Sequence, residues 1–318
     1  MPVEEAVSLA CADGVRLGGH FWRAAGPARG AVVVNAATGV LARYYHRYAR
    51  FLSAHGFHAL TYDYRGIGAS RPASLRGCGY RWHQWGTLDC DAALRLMRRQ
   101  WPDLPLHVVG HSIGGFLPGF APSAPAIGRI LTVGAQYAYW RDYRAADRAG
   151  LFLKWHVAMP LVTALCGYFP GRRLGWLEDL PAGVANEWSF RRARMERSLA
   201  PQQRAAILAR FAAVRAPILA VIVADDPLGT APAIRRALRY YRNAPQREVV
   251  LAPDDLGVPG IGHFGLFHAR FENSFWADSL AWLGRGADLW SGAGATAPGH
   301  DPEQAGDAPC SGRARGPA

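Results

Sequence analysis

Residues 106–115, with the sequence LHVVGHSIGG, decide the fold that the chain predicts. The first half is a short apolar run that indicates a buried strand, and the second half is rich in glycine, which indicates a sharp turn. Gly110 and Gly114 lie two residues on either side of Ser112, and this G-x-S-x-G spacing suits a serine at the apex of a strand-to-helix turn. Such a turn strains the serine backbone and leaves no room for neighbouring side chains. The stretch therefore predicts a strand, a Ser112 hydroxyl that projects into a cleft at the carboxyl ends of the strands, and a helix, in that order.

Segments on both sides of this stretch alternate between strand and helix patterns. Residues 31–39 contain a β-branched run typical of a strand buried on both faces, and residues 44–55 carry apolar side chains at spacings of three and four. This alternation predicts right-handed βαβ units and a mostly parallel sheet flanked by helices. Further strands are predicted near 57–64, 106–110, 130–134, 217–226 and 247–253, further helices near 82–100, 231–241 and 271–283, and a hairpin about Asp13 and Gly14.

One region interrupts the alternation. Residues 136–200 are rich in aromatic residues and arginine and contain no convincing strand, so we expect a helical cap inserted into the sheet domain. The core domain is accordingly predicted at residues 1–135 and 201–284. Residues 285–318 are glycine, alanine, proline and polar residues without periodicity, which predicts a disordered tail.

A serine hydroxyl is a weak nucleophile until a base takes its proton, and a third group must hold that base in place. When the serine stands on such a turn, the acid and then the histidine follow it in the chain. His263 lies between glycines after the last predicted strand, and we predict it as the base in preference to His268, which starts the final helix. Asp226 is predicted as the acid in preference to Asp225, since only one of two adjacent carboxylates can face the histidine.

The negative charge that develops when a serine attacks a carbonyl group needs two N–H donors, each contributing about 3 kcal/mol. The residue after the nucleophile, Ile113, supplies the first candidate. The second is expected from the small residues that follow strand 31–34, where Ala37 is the candidate and Ala36 the alternative.

The composition argues against several classes of partner. The net charge is +12, but arginine supplies nearly all of it, since Lys154 is the only lysine. We interpret this as a compositional bias and the cluster Arg191, Arg192, Arg194 and Arg197 as a solvated helix face, so no nucleic-acid partner is predicted. A small-molecule acyl substrate is the predicted partner, and the oligomeric state stays open.

Cysteines and apolar runs carry no further signal. Because the five cysteines show no paired spacing, we predict no disulfide framework, no metal and no cofactor. The acidic start of the chain lacks the features of a secretory signal, and residues 151–169 are interrupted by Lys154, His156 and Pro160. The sequence therefore predicts no membrane span, no stable membrane anchoring and a cytoplasmic location.

Over residues 3–284 the chain resembles the α/β-hydrolase superfamily. The stretches ALTYDYRGIGASRP, VVGHSIGG, ILTVGAQYAYW, GYFPGRRLGWLEDLPAGVANEW and GVPGIGHFG are similar to a bacterial family of serine hydrolases of the aminopeptidase and esterase kind. The resemblance implies an α/β-hydrolase fold with about eight mostly parallel strands and acyl-enzyme chemistry at Ser112. Two departures from the superfamily pattern are Asn35-Ala36, where many members have His-Gly, and Pro118, which implies a short or irregular helix after the serine.

The leading hypothesis for function is hydrolysis of a carboxylic ester or a related acyl compound. Aminopeptidase, thioesterase, lactonase and acyltransferase activities use the same triad and stay open, as does a ligand-binding module of the same fold. The predicted cap would lie over the cleft, so its aromatic residues are expected to favour a hydrophobic acyl group. The tryptophans concerned are Trp140, Trp155, Trp176 and Trp188.

Overall fold

The strands of the computed structural model, which describes residues 3–287, form one large and one small sheet. They are β1 Val3–Ala10, β2 Arg16–Arg23, β3 Gly30–Asn35, β4 Phe57–Tyr62, β5 Leu106–His111, β6 Ile127–Val133, β7 Tyr168–Phe169, β8 Leu180–Pro181, β9 Ile218–Val223 and β10 Gln246–Leu251. The large sheet has the order β1-β2-β4-β3-β5-β6-β9-β10. In this sheet β2 is antiparallel to both of its neighbours, whereas the six strands other than β2 and the edge strand β1 are parallel to one another: they are β4, β3, β5, β6, β9 and β10. The predicted α/β class, the sheet of eight mostly parallel strands and the N-terminal hairpin are confirmed.

Helices connect most of these strands. The α-helices are α1 His46–Ala54, α2 Trp82–Gln84, α3 Asp91–Gln100, α4 Ile113–Phe116, α5 Arg148–Phe152, α6 Met159–Cys166, α7 Gly171–Leu174, α8 Ala182–Ser189, α9 Pro201–Ala213, α10 Ala231–Leu238 and α11 Ala277–Arg285. Turns of π-helix at Trp85–Cys90, Leu153–Ala158 and Glu272–Trp276 precede α3, α6 and α11. The predicted helix 82–100 is therefore helical throughout, with a wider turn in its middle.

The burial of the central strands explains why their sequences are continuous apolar runs. Every residue of β3, β5 and β9 is buried, as expected for parallel strands covered on both faces. Their carboxyl ends lie at one edge of the sheet, and the loops that follow β3, β5, β9 and β10 carry the predicted site residues. Ligands of open α/β sheets bind outside this edge.

The segment after the central serine is irregular, as Pro118 predicts. Helix α4 has only four residues, and a 3-10 turn, Leu117–Phe120, follows it. Tyr241 stabilises this break, because its hydroxyl accepts the N–H of Gly119 at 3.0 Å and donates to the carbonyl of Phe116 at 2.9 Å. The short helix therefore ends in a turn whose polar backbone groups are paired.

The region inserted between β6 and β9 is mostly helical but not wholly so. The expectation that residues 136–200 contain no strand is wrong, because β7 and β8 pair in antiparallel fashion within it. Each has only two residues, which is too short for a periodic signal in the sequence. The predicted domain boundaries stay a prediction, and the predicted tail lies outside the described residues apart from residues 285–287.

A continuous helical segment of 19 residues, Arg148–Cys166, passes along this inserted region. By its length and its mean hydropathy of 1.4 this helical segment could cross a membrane, whereas we predicted no membrane span from the sequence. Met159 and Thr163 lie buried on one side, whereas Leu153, Leu161 and Leu165 are exposed. Within the most apolar 18 residues of the segment, only 17% are buried inside the protein.

Candidate active site

Ser112 lies in the tight turn between β5 and α4. Its φ of 53° and ψ of −127° place a non-glycine residue in a strained region, at a cost of about 1–3 kcal/mol. A Cβ atom at Gly110 would collide with the backbone of Gly114 and Gly115, and one at Gly114 would collide with the carbonyl of Asn35. The G-x-S-x-G spacing thus reflects close backbone packing that holds the serine in its strained conformation.

Asp226 and His263 form a buried pair at the same edge of the sheet. Oδ2 of Asp226 lies 2.6 Å from Nδ1 of His263, and Oδ1 accepts the N–H groups of Leu228 and Gly229, both at 2.8 Å. Burial favours the neutral acid, but His263 and these two donors together lower the pKa of Asp226 below its ordinary value. An ionised Asp226 only accepts, so Nδ1 of His263 carries the hydrogen and Nε2 is the basic nitrogen.

The adjacent Asp225 points elsewhere, as expected of two consecutive carboxylates. Its Oδ2 accepts the N–H of Ile261 and its Oδ1 the N–H of Gly262, both at 2.9 Å. Gly262 has a φ of 64°, which a glycine adopts without strain. Asp225 therefore holds the loop that carries His263, a positioning contact that sequence reasoning missed. The rival histidine, His268, lies between two 3-10 turns, Gly265–Phe267 and Ala269–Phe271, and is exposed.

The two predicted oxyanion donors, Ile113 and Ala37, line the same cavity as Ser112. Of the alternatives left open after β3, Ala37 is among the described lining residues and Ala36 is not. The N–H of Ala37 donates to the hydroxyl of Tyr45 at 2.9 Å, so this donor already has a partner in the protein. To bind an oxyanion, the Ala37 N–H must share or exchange that partner, and its role stays a prediction.

Asn35, noted above as a departure from the superfamily pattern, connects the loop after β3 to the serine turn. Its Nδ2 donates to the carbonyl of Gly114 at 3.1 Å, and its Oδ1 accepts from the hydroxyl of Tyr62 at 2.8 Å. The side chain is fully buried. Its amide therefore fixes the distance between the loop with Ala37 and the turn with Ser112.

His111, the residue before Ser112, bridges two parts of the site. Its Nε2 lies 2.7 Å from the carbonyl of His263, and its Nδ1 lies 2.7 Å from the hydroxyl of Tyr45. Burial, together with the nearby His263, lowers the pKa of His111 to about 3, so the ring is neutral at pH 7. Because a carbonyl only accepts, Nε2 carries the hydrogen and Tyr45 donates to Nδ1. A chain of hydrogen bonds thus joins Ala37, Tyr45, His111 and the His263 backbone.

A cavity of about 420 Å³ opens above these groups, and both Ser112 and His263 line it. Most of the remaining wall is aromatic or aliphatic, as in many small-molecule sites. Lys154 and Arg191 are the charged residues among the described residues that line it. The aromatic lining residues are Trp82, Tyr137, Trp155, Trp176, Trp188 and Phe264.

The inserted region supplies part of this wall, although not every predicted tryptophan takes part. Trp155, Trp176 and Trp188 are among the lining residues, whereas Trp140 is not. Trp82, which lies outside the predicted cap, was missed because nothing in its local pattern distinguishes a cavity wall from a packed helix. The interpretation of Arg191 as part of a solvated helix face is wrong, because this side chain is only 6% exposed and α8 ends before it, at Ser189.

One group of side chains among the described residues has ligand atoms close enough to hold a metal ion. The atoms belong to Glu4, His20 and His46 and all lie within 4.8 Å of one another. Their arrangement was not expected, because the three residues are far apart in the sequence. They share no residue with the cavity of Ser112, and Arg50 lies 3.9 Å from Glu4, which disfavours a cation there.

The sheet order and the serine turn define the α/β-hydrolase fold, and comparison with known proteins agrees. A family described as serine aminopeptidase S33 matches residues 26–154. A monoglyceride lipase from Saccharomyces cerevisiae is 28% identical over 106 residues, which cover 32% of this chain and 34% of that protein. The match thus spans about a third of this relative.

Solved structures resemble the fold over nearly the whole chain. A soluble variant of the Saccharomyces cerevisiae monoglyceride lipase, solved with a substrate analogue, has a TM-score of 0.63 at 15% identity and covers 89% of this chain and 94% of its own. A Pyrococcus furiosus esterase has a TM-score of 0.57 at 14% identity, with 89% of this chain and 91% of its own covered. At this identity the likeness establishes the fold, and the predicted α/β-hydrolase fold is confirmed.

Proposed function

We propose that the protein is a serine hydrolase that cleaves carboxylic esters through an acyl-enzyme at Ser112. The observation that carries this proposal is the buried contact of 2.6 Å between Asp226 and His263, in a cavity that Ser112 also lines. A carboxylate that fixes the tautomer of a histidine beside a strained serine is the arrangement that activates a hydroxyl as a nucleophile.

In the first half of the reaction, Oγ of Ser112 attacks the ester carbonyl carbon while Nε2 of His263 takes the hydroxyl proton. The resulting oxyanion is stabilised by the N–H of Ile113 and, in this proposal, by the N–H of Ala37. The C–O bond to the alcohol then breaks, and the alcohol leaves with the proton from His263. In the second half, water replaces the alcohol, and the carboxylic acid is released with the serine restored.

Asp226 stays ionised throughout and stabilises the positive charge that His263 gains in each half. The loop carrying His263 is held by Asp225 from one side and by His111 from the other. These contacts keep the imidazole in place without taking part in proton transfer.

For the substrate, we propose a small-molecule ester with an apolar portion that the aromatic wall contacts, and for residues 136–200 the role of a cap. The esterase and lipase likenesses support this class. Aminopeptidase activity is the alternative that the matched family's description raises, but a substrate α-ammonium group needs an acidic partner. The described residues lining the cavity include no aspartate or glutamate. The cytoplasmic location stays a prediction.

The test is steady-state hydrolysis of 4-nitrophenyl esters from acetate to long acyl chains, compared between the wild type and Ser112→Ala. We expect turnover that rises from acetate to medium chains and a loss in kcat of about 10⁶-fold in the variant. A variant that retained the wild-type rate, or a wild type that turned over none of these esters, would contradict the proposal.

A further inference from the structure

Arg191 is a buried cation, and two of its three side-chain nitrogens have no hydrogen-bond partner among the described residues. Its side chain is 6% exposed and lines the cavity, and its guanidinium carbon lies 3.8 Å from the ring centre of Trp82. Nε and Nη1 are buried without a hydrogen-bond partner among the described residues. Native proteins rarely leave buried donors unpaired, because each loses its hydration without compensation. An unpaired guanidinium in a cavity wall therefore indicates a missing acceptor.

Glu187, the acid that interacts most strongly with the charge of Arg191, is hydrogen-bonded to other residues. Glu187 attracts the guanidinium electrostatically, but burial is the larger influence and lowers the pKa of Arg191 to about 10. Oε1 of Glu187 instead lies 3.1 Å from Nδ1 of His83 and 3.3 Å from Nη1 of Arg81. Arg191 thus keeps its charge at pH 7, and its Nε and Nη1 stay unpaired among the described residues.

A second cation lines the same cavity. The ammonium group of Lys154 lies 4.5 Å from the ring centre of Trp155 and 4.6 Å from that of Trp176. Both contacts are cation–π interactions, which orient the ammonium without neutralising it. Burial lowers the pKa of Lys154. An apolar cavity with two cations and no described acidic lining residue is complementary to an amphiphilic anion.

We propose that this cavity binds substrates that carry a carboxylate in addition to the scissile ester, with Arg191 as the principal anion-binding residue and Lys154 as the second. This inference rests on the proposed function, since it names the substrate class of the same site. A planar carboxylate matches the fork of a guanidinium and can satisfy two of its donors at once. The aromatic wall would contact the apolar chain between the two functional groups.

Binding without turnover gives the first test. Calorimetry on the Ser112→Ala variant compares octanoate with octanamide, which share the chain and differ in charge. We expect octanoate to bind at least about tenfold more tightly, a difference within the range of one charge-assisted hydrogen bond. Adding Arg191→Met should reduce the difference to less than about threefold, Lys154→Met should reduce it partly, and the exposed neighbour Arg192→Met should leave it unchanged. Equal affinities for the two ligands, or equal effects of Arg191→Met and Arg192→Met, would overturn the proposal.

Stability separates a ligand-binding arginine from a structural one. Because Arg191 leaves buried donors unpaired, Arg191→Met should lower Tm by no more than about 3 °C, whereas loss of a structural buried ion-pair partner lowers it by far more. If Arg191→Met unfolds, the binding comparison is made with Arg191→Lys, which keeps the charge but not the fork and should retain only part of the preference. A full preference in Arg191→Lys would contradict recognition by the guanidinium fork.

Kinetics links the inference to the reaction. The mono-4-nitrophenyl ester of octanedioic acid and its methyl ester differ only in the free carboxylate. We expect kcat/KM to favour the free acid by about tenfold or more in the wild type and by less than about threefold in Arg191→Met. Turnover of both esters without this preference would refute the carboxylate proposal alone. If neither ester is cleaved, the proposed function fails, while the calorimetry still decides whether the cavity binds carboxylates.

Discussion

The hydrogen-bond network around Asp226 and His263 and the inserted region 136–200 differ in how completely their buried polar groups are paired. At the edge, both oxygens of Asp226, both ring nitrogens of His111 and the amide of Asn35 have partners within the protein. In the inserted region, Nε1 of Trp155 and two nitrogens of Arg191 are buried without a partner among the described residues.

The difference separates positioning from recognition. A fully paired network holds its members in one geometry, as a reacting constellation requires. Unpaired donors around a cavity lower stability until a ligand supplies acceptors, so they are expected where the substrate is recognised. The edge therefore carries the proposed chemistry, and the inserted region carries the proposed selectivity.

After the loss of the nucleophile itself, the largest expected effect comes from replacing one of the two adjacent acids at this edge. Asp226→Asn should lower kcat by about 10⁴-fold, because an amide can donate to Nδ1 and stabilise the wrong tautomer of His263. Asp225→Asn removes only loop contacts and should lower kcat by about 10²-fold at most. Both variants are measured on the same ester, with circular dichroism as the control for folding. Equal losses in the two variants would contradict the assignment of Asp226.

A smaller effect concerns the pH dependence of the sheet. His107 in β5 is buried, and both its ring nitrogens lack a partner among the described residues, so burial lowers its pKa to about 4. The unfolded chain takes up this proton near pH 6.5, before the folded protein does. The contribution of His107 to the free energy of unfolding is therefore fully present above about pH 6.5. It is lost as the pH drops toward 4, which lowers the free energy of unfolding by about 3 kcal/mol.

Urea titrations at pH 7 and pH 4.5 measure this effect, with His107→Phe as the matched variant. The variant should lose less stability between the two pH values than the wild type does. An identical pH dependence in both proteins would contradict this, since it would mean that His107 has the same pKa in the folded and the unfolded state.

The smallest expected effect lies on the outer face of the inserted region. Leu165 is 86% exposed, so Leu165→Gln should change the free energy of unfolding by less than about 0.5 kcal/mol. Urea denaturation measures the change, and Leu161→Gln, at 62% exposure, serves as a second case. A loss of more than about 1 kcal/mol would mean that this face is packed against something in the folded state.

Much of the edge was predictable because each residue follows a strand whose pattern is local. Ser112 follows a buried apolar run directly, and Asp226 lies three residues beyond the end of β9. The alternation of strands and helices orders these positions along one edge. The contact between Asn35 and Gly114 was not predictable, since it joins residues 79 positions apart.

The inserted region was predictable only in outline. Its aromatic residues indicated a wall, but which of them line the cavity depends on helix directions that no local period encodes. Arg191 shows the limit most clearly, because its place in an arginine cluster suggested solvent exposure. Its burial follows from stacking on Trp82, which lies more than 100 residues away.

Covalent labelling by a fluorophosphonate, followed by mass-spectrometric mapping of the modified peptide, tests directly whether Ser112 is the nucleophile. We predict one phosphonylated residue, Ser112, with labelling abolished in Ser112→Ala and strongly slowed in Asp226→Asn. Asp225→Asn should still be labelled at a measurable rate. Labelling of another serine, or undiminished labelling of Ser112→Ala, would contradict the assignment of the nucleophile.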